Sequence, residues 1–378
     1  KLGIDRIEIR RRNMITAEQM PFKMVCGGTI DGGEIPELMD EALSRADQKG
    51  FAERRAESAA RGMLRGFGVG MYLEQCGGGS DGGVDVKFRE DGTILVLASQ
   101  QENGQGHRTT LTQILSDKLG FDADKIEILQ GDSARTPPGT TGGARMTAVL
   151  GSTVAEVAAR TLEAARPYAA EALMCDEGEL VFVDGIFSAS GTNRSITIED
   201  LVLRLVPDSG DHPFNIKHSY EPDGSTYPYG CHIAEIEIDP ATCDVNIMRY
   251  TVVDDFGAVI NPLMLEGQIH GGIAQGIGQA IHEYAAFDEQ GQLVAGSLMD
   301  YRLPRAADLP TFDIHFRSIP CKNNILGVKG SGEAGAIGAP QAVIAAVTDA
   351  LGIAHIDMPA TPAAIWQALQ NKQSGKVA

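Results

Sequence analysis

The sequence predicts an α+β fold made of two copies of one two-layer α/β unit, each with a mixed sheet and helices on one face. Three observations carry this. The order strand, strand, polar loop, helix, strand, polar loop, helix occurs once before residue 190 and again from about residue 229. The strand-like stretches alternate apolar and polar residues, whereas the helix-like ones repeat apolar residues at helical spacing. The 45 glycines gather in short runs rather than in a repeat, as tight loops require and a fibrous chain does not.

The first 60 residues read as a helical lead-in, with a short helix ending near Asn13 and a second over 36–60 rich in strong helix formers. The opening KLGIDRIEIRRRN is amphipathic and charged, unlike a secretory signal, and starts as if in mid-domain, so a fragment of an upstream subdomain is expected. Residues 61–190 form the first unit. Its Gly-rich stretch from Gly62 to Gly83 includes RGFGVGMYLEQ, where Val69, Met71 and Leu73 alternate. VDVKF, the turn Glu90-Asp91-Gly92 and TILVLAS make a strand–turn–strand. The loop QQENGQGH leads into the helix RTTLTQILSDKLG, closed by Gly120, and the strand KIEILQG follows. A second loop, DSARTPPGTTGGARMT, precedes an Ala-rich helix over 150–174 and a hairpin over 179–189.

Residues 191–225 connect the units. In 226–378 the plan recurs: AEIEID, the turn Pro240-Ala241-Thr242, VNIMRYTVV, the loop DDFGAVINP and the helix LEGQIHGGIAQGIGQAI. FDIHF, the loop GVKGSGEAGAIGAP and the helix QAVIAAVTDALG, which Pro340 can start, complete it. Each unit thus has one polar loop before each helix, and four such loops can converge on one large ligand.

Composition narrows the function. Hydrophobic content of 43% and charged content of 22% are those of a globular protein able to bury a core. Lys+Arg is 32 against Asp+Glu 51, a net charge of −19, which repels nucleic acid and anionic lipid. No apolar run in the sequence approaches the ~20 residues of a membrane span. No two of the six cysteines lie within ten residues, so no CxxC element is present, and a reduced cytoplasmic protein is expected.

The loops carry the candidate chemistry. Gly104-Gln105-Gly106-His107 stands before a helix, where glycines admit a close ligand and free N–H groups attract anions; a tight surface turn explains it as well. Gly139–Thr147 (GTTGGARMT) has the same position and one Arg, and reads equally as an ordinary flexible loop. In Glu266–Ile281, Ile269, Ile273, Ile277 and Ile281 form a core-facing ridge, while five glycines cost on the order of 5 kcal/mol relative to Ala. That cost implies close packing against another backbone or a ligand, with Gln268, His270 and Gln275 as polar heads. In the last loop Glu333 is a lone carboxylate among small neighbours. Desolvation there would raise its pKa as a general base needs, with Lys329 opposing; a solvated loop Glu is the plain alternative.

Together these segments resemble the molybdopterin-binding part of the molybdenum hydroxylases, the xanthine dehydrogenase / aldehyde oxidase / CO dehydrogenase family. LGIDRIEIRRRNMI, RGFGVGMYLEQ, GQGHRTTLTQI, AEIEIDPATCDVNIMRYTVVDDFGAVINPLMLEGQIHGGIAQGIGQAI, LMDYRLPRAADLP, GVKGSGEAGAIGAP and IDMPATPAAIWQAL occur in the family's order along nearly the whole chain. The resemblance implies that Glu333 is the active-site glutamate beside molybdenum. It implies that Gln105, Gly106, His107 and Thr110 belong to a first cofactor loop, and Thr140, Gly143, Ala144, Arg145, Met146 and Thr147 to a second. Asp255, Gly257, Asn261 and Gln268 are the implied contacts of the second unit, and Lys329, Gly330, Ser331 and Gly332 the loop that holds Glu333. The second loop often reads Gly-Ser-Arg-Ser in the family; here it is Gly143-Ala144-Arg145-Met146, without the two hydroxyls.

The implied cofactor is molybdopterin with molybdenum, in the cytosine dinucleotide form, the metal held by the pterin dithiolene with no protein ligand. Implied partners are an upstream molybdopterin-binding half, an iron–sulfur subunit and an FAD subunit, in an oligomer of heteromers acting on a small-molecule substrate. The function expected is water-dependent hydroxylation of an aldehyde, an N-heterocycle or a similar carbon centre, or oxidation of CO. The competing expectation is a non-catalytic cofactor-binding or assembly piece, inert alone. A nicotinamide dinucleotide domain is disfavoured, because no strand–GxGxxG–helix unit is present.

Overall fold

The computed structural model describes residues 3–77 and 82–374; the part of the predicted Gly-rich stretch at 78–81 lies outside them. The lead-in holds α1 (Arg6–Arg12), β1 (Phe22–Lys23), β2 (Thr29–Ile30), α2 (Ile35–Arg45) and α3 (Phe51–Ala60). Asp5 caps α1 by accepting from Ile7 N and Glu8 N, and Asn13 ends it as predicted. The single helix predicted over 36–60 is divided, because Asp47 turns left-handed at φ 50° and caps Gly50 N with its own side chain.

The first unit contains β3 (Leu64–Leu73), β4 (Gly83–Phe88), β5 (Ile94–Ala98), α4 (His107–Leu119), β6 (Ile126–Gln130) and α5 (Ser152–Leu173). After it come β7 (Leu180–Val183), β8 (Ile186–Ala189), β9 (Ser195–Thr197), α6 (Ile198–Arg204) and β10 (Ile216–Ser219). The second unit contains β11 (Tyr229–Ile238), β12 (Val245–Asp255), α7 (Pro262–Ile281), β13 (Phe312–Arg317), α8 (Ala334–Leu351) and α9 (Pro362–Gln373).

The duplication is visible in the hydrogen bonding. One sheet has the order β10-β4-β5-β6 and the other β3-β11-β12-β13. In each, the first two strands of the repeat are antiparallel and the third is parallel to the second, with α4 or α7 as the crossover. α5 packs on α4, and α8 on α7, to complete the helical layers. The fourth strand is antiparallel in both sheets, but its source differs from the sequence reading. β3, read as the start of the first unit, pairs along ten residues with β11, whereas β10, read as linker, pairs with β4. The units are therefore laced by exchanged edges.

Glycine explains where β3 goes. Gly66, Gly68 and Gly70 point at α8, and a Cβ on Gly68 would lie 2.0 Å from Ala342 O. A side chain there would lift the helix off the sheet. The same logic joins α7 to α8: a Cβ on Gly276 would lie 2.9 Å from Pro340 Cδ, and one on Gly272 3.0 Å from Gly335 Cα. Pro340 does not start α8, which begins at Ala334; its ring is accommodated inside the helix by the empty space over Gly276. By contrast Gly267 and Gly271 have nothing within 4 Å of a built Cβ, so this face of α7 is open. Among the described residues, α8 is the one helix long and apolar enough to cross a membrane; just over half of it, including Val343, Val347 and Leu351, is buried within the protein, where the helix packs on β3, β11 and α7. On the other face of the second sheet, buried Glu235 of β11 pairs with Arg54 and Arg65 under α3.

Gly68→Ala is expected to cost about 3 kcal/mol in urea unfolding, because the added methyl meets backbone rather than a yielding side chain. Gly271→Ala in the cofactor-free protein is expected to gain about 1 kcal/mol from helix propensity alone.

Candidate functional site

All four predicted loops leave the sheets on the same side and meet. In the first loop Gly104 and Gly106 take φ 102° and 79°, and Gly106 is the N-cap of α4. Asn103 N donates to Gln105 Oε1, which fixes the amide and leaves its NH2 group available. In the second, Gly143 and Ala144 are both left-handed, at φ 62° and 48°, the latter a strained position for a residue with a Cβ. A π-helical turn, Thr147–Gly151, then enters α5. In the third, Asn261 caps α7 by accepting from Met264 N, and donates from Nδ2 to Gln113 Oε1 of α4. Gln113 in turn donates to Ile260 O at 2.8 Å.

The fourth loop is the keystone. Ala258 N donates to Gly327 O at 2.8 Å, and Lys329 N to Phe256 O at 2.7 Å. Gly330 N donates to Thr226 Oγ1, and a Cβ on Gly330 would lie 2.4 Å from Ala144 O and 2.6 Å from Cys76 Sγ. Only glycine admits the second and fourth loops to each other. A cavity of about 80 Å³ lies where the loops meet, and Gln105, Thr110, Thr147, Asn261, Gln268 and Ser331 give it a polar lining, with Met146 beside them.

Comparison with known proteins agrees with this geometry. Residues 41–310 match the molybdopterin cofactor-binding domain. The chain belongs to the molybdenum hydroxylase family. It is 32% identical to the carbon monoxide dehydrogenase large chain of Hydrogenophaga pseudoflava, over 98% of this chain and 49% of that one. It is 31% identical to the nicotine 6-hydroxylase large subunit of Paenarthrobacter nicotinovorans, over 97% of this chain and 48% of the relative. The fold superposes on quinoline 2-oxidoreductase from Pseudomonas putida 86 with TM-score 0.89 and 32% identity, covering 98% of this chain and 50% of that chain. The chain spans about half the length of these molybdenum hydroxylases.

Within this hydroxylase fold the predicted residues divide into three groups. Gln105, Thr110, Met146, Thr147, Asn261, Gln268, Lys329 and Ser331 line the cavity, although the Thr110 hydroxyl is satisfied by Gly106 O. A second group holds the loops. Lys329 and Asp255 are 1% and 0% exposed and lie 3.2 Å apart as an ion pair. Asp255 also accepts from Gly257 N and from the Tyr229 hydroxyl, and Lys329 lies over the Tyr229 ring at 4.8 Å. Arg145 donates to Thr140 O across its own loop. His107 turns away from the cavity into the first core, with Nδ1 3.4 Å from Gln130 Nε2. Burial pushes His107 down to about 4, so it is neutral at pH 7.

The third group is Glu333 with Gly332, both exposed in this chain. The partly dry setting expected for Glu333 is not what the structure shows. The small residues before it pack downward on Cys76 and Ala144, which leaves residue 333 facing outward at the N-cap of α8. Lys329, expected to act on it, is committed to Asp255.

Two residues that the sequence reading did not single out complete the site. Glu74, one residue past β3, is half-buried with its Oε2 shut off from solvent, and Cys76 lies beneath Gly330. Burial first, then the neighbouring Glu333, push the Glu74 carboxyl up to about 7, and burial pushes the Cys76 thiol up strongly. One acid among 51 in a strand ending carries no signal of this, because its burial depends on β3 joining the second sheet.

Asp255→Asn is expected to cost about 3 kcal/mol or more in unfolding free energy, since it strands a buried ammonium; Lys329→Met in the same chain should recover much of the loss. His107 gives a pH prediction. Its folded pKa lies below its ordinary value of 6.5, so its contribution is complete above pH 6.5 and is lost as pH falls toward 4. His107→Gln should flatten that part of the stability–pH curve.

Proposed function

We propose that this chain forms half of the cofactor cradle, and supplies the general base, of an oxidoreductase that uses water to hydroxylate an aldehyde, an N-heterocycle or a similar carbon centre, or to oxidise CO. The observation that carries the reading is the meeting of four glycine-bearing loops, far apart in sequence, around one polar cavity.

The residues present fit a phosphorylated pterin. The Gln105 and Gln268 amides can pair with the edge of a heterocycle, since each offers donors and an acceptor. The N-termini of α4 and α7 offer backbone N–H groups of the kind that hold phosphate, which suits the cytosine dinucleotide form. The open space over Gly267 and Gly271 lets a ligand or another backbone lie against α7. When bound, the molybdenum–pterin group supplies activation of a water-derived oxygen and an outlet for electrons. Glu333 holds the proton released from that oxygen. Ser331 and Gly332 set its position, and the Lys329–Asp255 pair anchors the loop from beneath.

The partners that suit this reading are an upstream molybdopterin-binding half, an iron–sulfur subunit and an FAD subunit, in an oligomer of heteromers. All six cysteines are free thiols, which supports a cytoplasmic setting. The exposure of Glu333 and the small cavity support a second reading, that the chain alone is a cofactor-binding piece without turnover.

The purified complex separates the two. Glu333→Gln should lower kcat by about 10²–10⁴-fold with molybdenum and pterin content unchanged. Normal turnover of this variant, with full metal content, would remove the catalytic role.

A further inference from the structure

Gln100 is wholly buried, and neither its amide nitrogen nor its amide oxygen has a hydrogen-bond partner. It stands two residues past β5, at the root of the first loop. β5 ends beside the last residue of β6, with Ala98 and Gln130 in register. Gln130 is 8% exposed; its Nε2 donates to Gln100 O and lies 3.4 Å from His107 Nδ1, which leaves its Oε1 without a donor. Native proteins hold few unpaired buried amides, because each is costly, and here two stand at adjacent strand ends. We propose that Gln100 and Gln130 form a buried subsite, at the root of the first loop, for an uncharged group that carries both hydrogen-bond donors and an acceptor.

The free groups set the ligand class. They are one NH2, on Gln100, and two carbonyl oxygens, on Gln100 and Gln130. A phosphate or other anion brings acceptors only and would leave both carbonyls unpaired. A metal ion or an ammonium group cannot accept from the NH2. A water, or a neutral heterocycle edge of the amide or amino type, has both kinds of group. The surroundings agree, since a charged ligand would meet no countercharge. His107 is 3% exposed and neutral, and Glu102 and Arg108 answer each other at 3.2 Å. The position gives the subsite its use. Gln101 O, one residue on, accepts from Thr141 Oγ1 at 2.6 Å, so the first and second loops are joined at this root. A group bound by Gln100 holds the backbone at that junction, which makes Gln100 a positioning residue for the loop that carries Gln105.

The positioning role rests on the chain forming a pterin cradle, but the readout needs neither turnover nor Glu333. Gln100→Met replaces the amide with an apolar chain of similar length. Where the amide has no partner, this change removes a cost and raises the thermal midpoint. Where it holds a bound group, the change strands that group and lowers the midpoint. The Gln100→Met complex is expected to melt about 2 °C lower than the native one, measured with and without cofactor. A loss in both forms identifies an ordered water. A loss confined to the loaded form, with faster release of pterin, identifies the heterocycle edge of the cofactor. An equal or higher midpoint in both forms would overturn the subsite. If Gln100→Met does not assemble, a crystal structure of the native complex decides. Density for a neutral group within hydrogen-bonding distance of Gln100 Oε1 or Nε2 supports the subsite, and apolar packing all round that amide overturns it. Normal turnover of Glu333→Gln would remove the base assignment and leave this result standing.

Discussion

The arrangement depends on backbone-close packing of α8. Hydrogen atoms, not side chains, separate it from β3 at Gly66, Gly68 and Gly70 and from α7 at Gly272 and Gly276. This contact sets the height of the first residue of α8 above the sheet, and so the position of Glu333. It also holds β3 in the second sheet, and with it Cys76 beneath Gly330. Each glycine costs helix or strand propensity, and what the cost gains is a helix terminus placed by backbone contact rather than by yielding side chains.

The Lys329–Asp255 pair serves the same end differently. A buried ion pair is a poor source of net stability, because desolvation offsets most of the attraction. It is specific, however: Asp255 can be satisfied by Gly257 N, Tyr229 and Lys329 only when the third and fourth loops lie side by side. The structure thus fixes loop position with charge and leaves the amides of Gln105, Asn261 and Gln268 and the hydroxyls of Thr147 and Ser331 on the cavity wall beside Lys329.

Much of this was legible in the sequence, and the failures have physical causes. The duplication and the strand and helix order could be read because period and turn chemistry are local. The four loops could be read because a polar, Gly-bearing segment precedes a helix four times at matching places in the two units, although no one of them is specific alone. Which strand β3 joins could not, since alternation specifies a strand and not its neighbour. The inward turn of His107 and the burial of Lys329 were hidden for the same reason: a polar residue in a Gly-rich loop looks alike whether it faces ligand or core. Glu74 was invisible because its burial depends on β3 joining the second sheet, which alternation in the sequence does not specify. The break at Asp47 was the one purely local miss, where a left-handed residue within strong helix formers ended the helix.

Hydrogen exchange on the assembled complex, with and without cofactor, measures most directly whether four distant loops embrace one group. Protection should rise together on cofactor loading in 103–107, 140–147, 256–261 and 327–333, with the outer face of α3 unchanged. Protection confined to one of these loops, or spread evenly over the chain, would contradict a shared cradle.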